Sequence, residues 1–377
     1  MDNLRQQDTP EARRYNRLHR RLGIADALLG LAMLAILLVT GWSGEIRDFA
    51  FNVSGGANYV LALFFYVLVL SLLSKIITAP LDYFGFRLEH EYHLSNQRTR
   101  AWLWDEVKGW LVGLTISVLL SQVLYLVIRK EPDFWWVWAW LAFLVLFVAF
   151  AQLAPVILFP IFYRFRSLDN DALRERLTRL SEKAGTRVRG VYEWNLSEKS
   201  KKANAALMGL GRTRRIVLAD NLLANYSDDE IEAVLAHELG HHVHRHIVKS
   251  IALQAVITFA GFWVVKTVLR QPHPEWFQTQ YDFANLPLII ITTTLLSFLL
   301  LPVMNAYSRY NERQADRYAL KSIASPEPFI SAMNKLAEQN LAEREPSRIV
   351  ELLFHSHPPI AKRVAAARAW KQQVQGT

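Results

Sequence analysis

Six long apolar runs alternate with polar segments along this chain. They cover residues 24–42, 59–79, 108–128, 134–159, 247–269 and 286–306. Each run is long enough to cross a hydrocarbon layer of about 30 Å as an α-helix, which needs roughly 20 apolar residues. The pattern predicts a mainly α-helical, polytopic membrane protein with about six transmembrane helices.

The polar segments have shorter and more varied patterns. Pro155 and Pro160 are expected to break the helix after the fourth span, and a charged helix is expected over residues 170–184. Three short strands follow it, at 188–194, 203–208 and 215–218. Ser227 and Glu230 have the spacing of a capping box, so a helix should begin there, and it could continue into the fifth span. The segment 326–370 again has helical periodicity. These elements predict a small α+β part outside the membrane.

The chain divides accordingly into four segments. They are residues 1–160 with an N-terminal arm and four spans, 161–246 with the small sheet, 247–306 with two further spans, and 307–377 with the C-terminal helices. In this arrangement, both polar segments follow an even number of membrane crossings. They are therefore expected on the same side of the bilayer.

Positive charge is concentrated at one set of span ends. It is carried by Arg5, Arg13, Arg14, Arg17, Arg20, Arg21, Arg87, Arg98 and Arg100. Because positive loops stay in the cytoplasm, we expect an integral protein of the cytoplasmic membrane whose soluble part and both termini face the cytoplasm. This distribution accounts for the net charge of +9. No nucleic-acid partner is predicted, because no recognition module is present.

The segment His237-Glu238-Leu239-Gly240-His241 is the strongest chemical signal in the chain. Two histidines four residues apart share one helical face, so both imidazoles can bind one Zn²⁺ ion. Glu238 can then act as general base on a metal-bound water. The chain has no cysteine, so the remaining ligand must be a histidine or a carboxylate. A lone match to this pattern also arises by chance on ordinary helices.

Glu312 is the candidate third ligand. It shares a helix face with Asp316 just after the last span, where Asp316 can accept a proton from a zinc-bound histidine. His244 is unsuitable, since it would lie about 10 Å along the helix from His237. His242 and His246 are expected to point away from the stripe formed by His237 and His241, as residues that support the ligands from outside the cluster or lie at the membrane interface. The alternative is that the two carboxylates are ordinary surface charges, paired with neighbouring arginines.

Near the C-terminus, His357 and Arg363 place a potential oxyanion donor and a fixed cation in a helical region. By composition alone, a surface loop is an equally good interpretation. The segment His357-Pro358-Pro359 is one of several motifs that can be compared with known families.

Taken together, these motifs resemble those of the type I CAAX prenyl endopeptidases, which are integral membrane zinc metalloproteases. The similar segments are 203–209 with 215–218, the HELGH segment, 308–316, and the HPP segment with Arg363. The resemblance implies that His237, His241 and Glu312 bind one zinc ion. It also implies that Asn204 belongs to a strand that pairs with an extended peptide, and that His357 and Arg363 lie near the substrate and the developing oxyanion.

The chain also departs from the family pattern. Ala206 replaces an aromatic residue, and His93-Leu94-Ser95 replaces a Gly-Phe-Asn loop. Substrate preference can therefore differ from that of the family, whose members remove a C-terminal tripeptide from prenylated proteins. The expected partners are a peptide or protein substrate, including lipidated ones, and the lipid bilayer.

The sequence thus predicts a zinc metalloendopeptidase whose small α+β domain lies in the cytoplasm. A second enzymatic interpretation is quality control of membrane proteins, as in the heat-shock membrane peptidases, which have fewer spans. A third, from another class, is a metal- or proton-regulated transporter or scaffold, in which the histidines and Glu238 form a regulatory site.

Overall fold

The structure is a computed structural model that describes residues 8–209, 214–271 and 279–375. Helices form most of these residues, as predicted. They are α1 (Pro10–Val39), α2 (Trp42–Val53), α3 (Tyr59–Glu91), α4 (Thr99–Lys130), α5 (Trp135–Leu153), α6 (Phe159–Phe162), α7 (Asp171–Lys183), α8 (Asp220–Asn225), α9 (Asp228–Val243), α10 (His246–Leu269), α11 (Leu286–Ser322), α12 (Glu327–Gln339), α13 (Arg348–Phe354) and α14 (Ile360–Gln375).

Within the described residues, six helical segments are long and apolar enough to cross a membrane, which confirms the six predicted spans. They are formed by α1, α3, α4, α5 with α6, α10, and α11. Several of these helices extend well beyond their apolar runs. In particular, α11 continues without interruption from the last span to Ser322, so one rigid element connects the membrane to the residues around Glu312.

Two local features of the membrane part differ from the sequence prediction. The short helix α2 is unexpected, and it is held against the spans by Ser43, whose hydroxyl donates to the Ala284 carbonyl at 2.6 Å. Pro155 and Pro160 are expected to break the helix after the fourth span. Instead, the chain passes through a π-helical turn, Ala154–Leu158, and the helix continues to Phe162. A π turn accommodates the missing proline N–H without ending the helix.

A small four-stranded sheet lies outside the bundle. Its strands are β1 (Phe165–Ser167), β2 (Val191–Trp194), β3 (Ala205–Met208) and β4 (Arg215–Ala219), in the order β1-β2-β4-β3. Among the strands of the described residues, only β2 and β4 pair in parallel. The three predicted strands are present, whereas the three-residue β1 was too short to give a pattern. Residues 210–213, in the predicted connection from β3 to β4, lie outside the described residues.

The sheet and the soluble helices share one buried core. Leu218 of β4, Leu235 of α9 and Phe329 of α12 are all less than 2% exposed within it. Burial of side chains of this size stabilises the fold by roughly 1.5–3 kcal/mol each. One face of α9 is therefore anchored in this core, which determines the direction of its other faces.

The N-terminal end of α1 lies beside the C-terminal part of the chain. Arg20 forms an ion pair with Glu343, and the Asn16 amide donates to the Leu341 carbonyl at 2.7 Å. The soluble elements and the start of α1 are therefore on the same side of the bundle, as an even number of spans requires. The identity of that side as cytoplasmic stays a prediction.

The helix that begins after Ser227 does not continue into the fifth span. It ends at Val243, and Arg245 adopts a left-handed conformation with φ 55° before α10 begins at His246. Because a left-handed residue redirects the chain, the direction of His246 is not set by the periodicity of α9.

Candidate metal centre

The start of α9 is held by a network around Glu230. The Ser227 hydroxyl accepts from the Glu230 N–H at 3.3 Å, and the Glu230 carboxylate accepts from the Ser227 N–H at 2.8 Å, which is the predicted capping box. The same carboxylate binds Lys335 at 2.7 Å and Ser331 at 2.6 Å. Burial acts to raise the pKa of Glu230, but these hydrogen bonds outweigh it and the pKa is lowered.

His237 and His241 lie one turn apart on α9, as the sequence predicts. Their Nε2 atoms face each other at 3.2 Å. His237 is 7% exposed and lies deep in the site, whereas His241 is partly exposed. Both imidazoles therefore direct the same ring nitrogen toward one point in space.

At Gly240, α9 and α11 approach each other closely. A Cβ atom built on Gly240 would lie 2.8 Å from Ala315 Cα and 3.0 Å from the Ala315 carbonyl oxygen. Any side chain at this position would therefore collide with the backbone of α11. The close crossing brings Glu312, three residues before Ala315, to the two histidines.

Glu312 completes a cluster with both imidazoles. Its Oε2 atom is 3.3 Å from His237 Nε2, and its Oε1 atom is 3.2 Å from His241 Nε2. One ligand atom from each of the three residues lies within 4.8 Å of the others. Two imidazoles and one carboxylate form a donor set of catalytic zinc sites.

Two further observations support metal binding at this cluster. The Oε2 atom of Glu312 is buried and has no hydrogen-bond partner among the described residues. In addition, the far ring nitrogens of both histidines already have partners. His237 Nδ1 is 2.9 Å from Asp316 Oδ1, and His241 Nδ1 is 3.0 Å from His246 Nδ1. The facing Nε2 atoms are thus available as ligands, and the residues present fit the metal.

Asp316 connects the cluster to Arg363. The guanidinium donates to both carboxylate oxygens of Asp316, at 2.9 and 2.5 Å, and it is 8% exposed. This bidentate pair neutralises the buried carboxylate that orients His237. The sequence-based expectation placed Arg363 near the substrate, but its guanidinium is held by Asp316, and a direct contact with substrate stays a prediction.

Glu238 lies between the two histidines on α9 and is partly buried. Burial raises the pKa of its carboxyl, the neighbouring imidazoles oppose this rise, and the negative charge of Glu312 adds to it. The net effect is a raised pKa. A carboxyl of this kind has an increased affinity for a proton, which suits a group that must accept one.

His357 approaches the cluster from the C-terminal part of the chain. Its Nε2 atom is 3.3 Å from Glu312 Oε1, while its side chain is 61% exposed. The loop before it is held by Arg309 of α11, which donates to the carbonyls of Glu351 at 2.8 Å and His355 at 2.6 Å. His357 is thus next to the cluster and also open to solvent.

Asn204 comes directly before β3 and is exposed. Its carbonyl accepts from the Ala219 N–H at 3.0 Å, so its backbone is joined to the end of β4. β3 is at the edge of the sheet and packs against α9. Its role in peptide binding stays a prediction.

Sequence reasoning did not identify Gly240, Gln314 or Arg309 as parts of the site. It expected His246 to be a non-ligand that supports the ligands from outside the cluster or lies at the interface, and His246 does contact His241 from behind. The reason given, a ring that points away from the ligand stripe, is replaced by the left-handed turn at Arg245, which brings the ring back to His241. His242 and His244 are outside the ligand cluster, as expected. The only sequence signal for Gly240 was a glycine inside a helix, where such a residue often indicates close packing.

Comparisons with known proteins give matches along most of the chain. Residues 167–371 match the family described as Peptidase family M48, and residues 1–164 match the one described as CAAX prenyl protease N-terminal, five membrane helices. The crystal structure of S. mikatae Ste24p superimposes with a TM-score of 0.84 at 24% identity, over 94% of this chain and 87% of that one.

Two relatives are similar to this chain over most of their own length. An uncharacterized metalloprotease, YhfN of Bacillus subtilis, is 32% identical over 94% of this chain and 84% of its own length. CAAX prenyl protease 1 of Saccharomyces cerevisiae is 30% identical over 79% of this chain and 70% of its own length. These matches do not favour the heat-shock peptidase, transporter or scaffold interpretations.

Proposed function

This chain belongs to peptidase family M48 and is a membrane metalloprotease, and we propose that its metal is zinc, one ion per chain, bound by His237, His241 and Glu312. The single observation that carries this proposal is the convergence of two Nε2 atoms and one carboxylate within 4.8 Å. When bound, zinc acidifies a coordinated water and polarises a scissile carbonyl.

Glu238 is the general base in this proposal. Its raised pKa increases its affinity for the proton of the attacking water, and the same carboxyl can then donate that proton to the leaving nitrogen. Asp316 accepts from His237 Nδ1 and so keeps the opposite nitrogen free for the metal. His357, next to Glu312 and open to solvent, can donate a hydrogen bond to the developing oxyanion.

The substrate is proposed to be a peptide that carries a lipid near its C-terminus. A cavity of about 1270 Å³ lies among the spans, lined mainly by apolar side chains of α1, α3, α4, α10 and α11. Two of its residues, Leu301 and Met304, lie on α11 about two to three turns before Glu312. An apolar chain can occupy this space while the attached peptide reaches the metal. The named activity of the yeast relative, a CAAX prenyl protease, agrees with this assignment.

The decisive experiment compares two peptides of the same sequence, which have a cysteine just before the C-terminal tripeptide. This cysteine is farnesylated in one peptide and unmodified in the other. We expect the purified protein to release a C-terminal tripeptide from the lipidated peptide, as identified by mass spectrometry. Glu238→Gln should lower kcat/KM by about 10²–10⁴-fold while zinc remains bound. The matched control is Glu232→Gln on the same helix, where the carboxylate pairs with Arg176 instead.

The outcomes separate the parts of the proposal. Full activity in Glu238→Gln would reject the general-base role. Equal cleavage of both peptides would reject the lipidated substrate class, and cleavage of unmodified membrane proteins instead would favour quality control. Purified protein that retains no zinc after dialysis would reject the metal assignment.

The soluble side is proposed to be cytoplasmic, and the absence of cysteine from the sequence makes this easy to test. Single cysteines can be introduced at Glu175, whose side chain is 68% exposed on α7, and at Asp133, 87% exposed between α4 and α5. In intact cells, a membrane-impermeant maleimide should label only the Asp133→Cys protein. Labelling of Glu175→Cys alone would reverse the orientation.

A further inference from the structure

Two side chains outside the ligand cluster form a hydrogen-bonded chain behind His241. His246 Nδ1 is 3.0 Å from His241 Nδ1, and His246 Nε2 is 2.9 Å from Gln314 Oε1. The Gln314 amide nitrogen donates in turn to the Tyr310 hydroxyl at 2.9 Å. We propose that His246 and Gln314 are positioning residues that fix the tautomer and orientation of His241. This rests on the proposed role of His241 as a zinc ligand.

The proton positions in this chain follow from one requirement. A metal-binding His241 needs a bare Nε2 atom, so its proton must be on Nδ1. His246 Nδ1 must then accept the hydrogen bond from the Nδ1–H of His241, so the proton of His246 is on Nε2. The partner of that N–H must be an acceptor, and the carbonyl oxygen of Gln314 is within reach.

The opposite arrangement is incompatible with metal binding. If Gln314 presented its NH₂ group to His246, the His246 proton would move to Nδ1. His241 Nδ1 would then have to accept, and its own proton would be on Nε2, where the metal has to bind. The orientation of one amide group therefore decides whether His241 can act as a ligand.

The fold explains why the imidazole of His246 can lie directly behind His241. The left-handed conformation of Arg245 turns His246 back toward α9, and the ring is 3% exposed. Gln314 is on α11, so this one helix supports both ligand histidines from behind. Asp316 contacts His237 directly, and Gln314 acts on His241 through His246.

The hydrogen-bonded chain of His246 and Gln314 carries no charge, and this has an electrostatic reason. The site already contains three carboxylates, Glu238, Glu312 and Asp316, of which Asp316 is neutralised by Arg363. A fourth carboxylate behind His241 would add uncompensated negative charge in a partly buried site, which is costly. An imidazole with an amide acceptor orients His241 without that charge.

The test uses graded variants and measures zinc binding directly. His246→Phe keeps a ring but has no acceptor, whereas His246→Asn keeps an oxygen near the position of Nδ1. Gln314→Met removes the distal acceptor. His242→Phe is the control, because His242 contacts Arg214 rather than the cluster. Zinc affinity is measured by chelator competition, and ligand geometry by the visible spectrum of the cobalt-substituted protein.

We expect His246→Phe and Gln314→Met to weaken zinc binding by about 10–100-fold and to alter the cobalt spectrum. His246→Asn should recover most of the affinity, and the control should match the wild type. If His246→Phe does not fold, Gln314→Met, at a partly exposed position, keeps the test decisive. A purely structural role would lower the unfolding temperature in excess chelator without the rescue by Asn.

Two results would overturn this inference. One is an unchanged zinc affinity in Gln314→Met and His246→Phe, and the other is an Asn variant as impaired as the Phe variant. In either case, wild-type protein that binds one zinc and cleaves peptide would leave the proposed function intact. Wild-type protein that binds no zinc would instead remove the proposed function itself.

Discussion

Gly240→Ala tests whether the close crossing of α9 and α11 creates the metal centre. The added methyl group would lie 2.8 Å from Ala315 Cα, 3.0 Å from the Ala315 carbonyl oxygen and 3.2 Å from Tyr318 Cβ. Carbon atoms in favourable contact are about 3.5–4.0 Å apart. The two helices would therefore have to separate by roughly 0.7 Å, because backbone atoms cannot rotate away as a side chain can.

This separation is large compared with what the site tolerates. Metal–ligand distances in a working site stay within about 0.2 Å of their ideal values, and catalytic groups within about 0.5 Å. Glu312 would move away from both histidines together with the backbone of Ala315. We expect a destabilisation of about 1–3 kcal/mol from overpacking, and a fall in kcat/KM of about 100-fold.

The assay combines zinc content after dialysis against graded chelator, thermal unfolding, and kcat/KM on a cleavable peptide. Gly85→Ala is the matched control, since its methyl group would meet nothing within 4 Å on α3. A second change, Ala315→Gly, should not restore activity, because the collision involves Ala315 backbone atoms. Wild-type zinc content and activity in Gly240→Ala would refute the reasoning.

Three further predictions concern single residues. In a pH–rate profile, the fall of kcat/KM on the acid side should occur above the ordinary glutamate pKa of 4.5, because Glu238 works deprotonated and burial raises its pKa. A fall at or below pH 4.5 would contradict this. Glu230→Gln should cost about 1–3 kcal/mol of unfolding free energy at neutral pH, since the ion pair with Lys335 is lost. Because the folded-state pKa of Glu230 is lowered, the difference in unfolding free energy between wild type and Glu230→Gln should shrink as the pH falls through that pKa. Denaturant unfolding at several pH values measures it, and a pH-independent difference would argue against the role of this ion pair. Arg309→Met should lower kcat/KM by about 10-fold or more with zinc retained, because the loop that carries His357 loses its anchor; unchanged kinetics would show that the anchor is dispensable.

The sequence by itself determined the parts of this protein that depend on short-range patterns. The length of the apolar runs specified six spans, because a helix must satisfy its own backbone hydrogen bonds across the bilayer. The capping box at Ser227 and the four-residue spacing of His237 and His241 specified a helix with two imidazoles on one face. These features are set by neighbours within about one turn of helix, so the amino-acid order is sufficient to predict them.

The tertiary structure alone decided which distant groups meet. The sequence could name Glu312 and Asp316 as candidates, but only the α9–α11 crossing at Gly240 brings Glu312 to both imidazoles. Likewise, the pairing of Arg363 with Asp316 arises where α14 packs against the end of α11. Such contacts depend on the relative placement of helices, which follows from the packing of a shared core and from no local pattern.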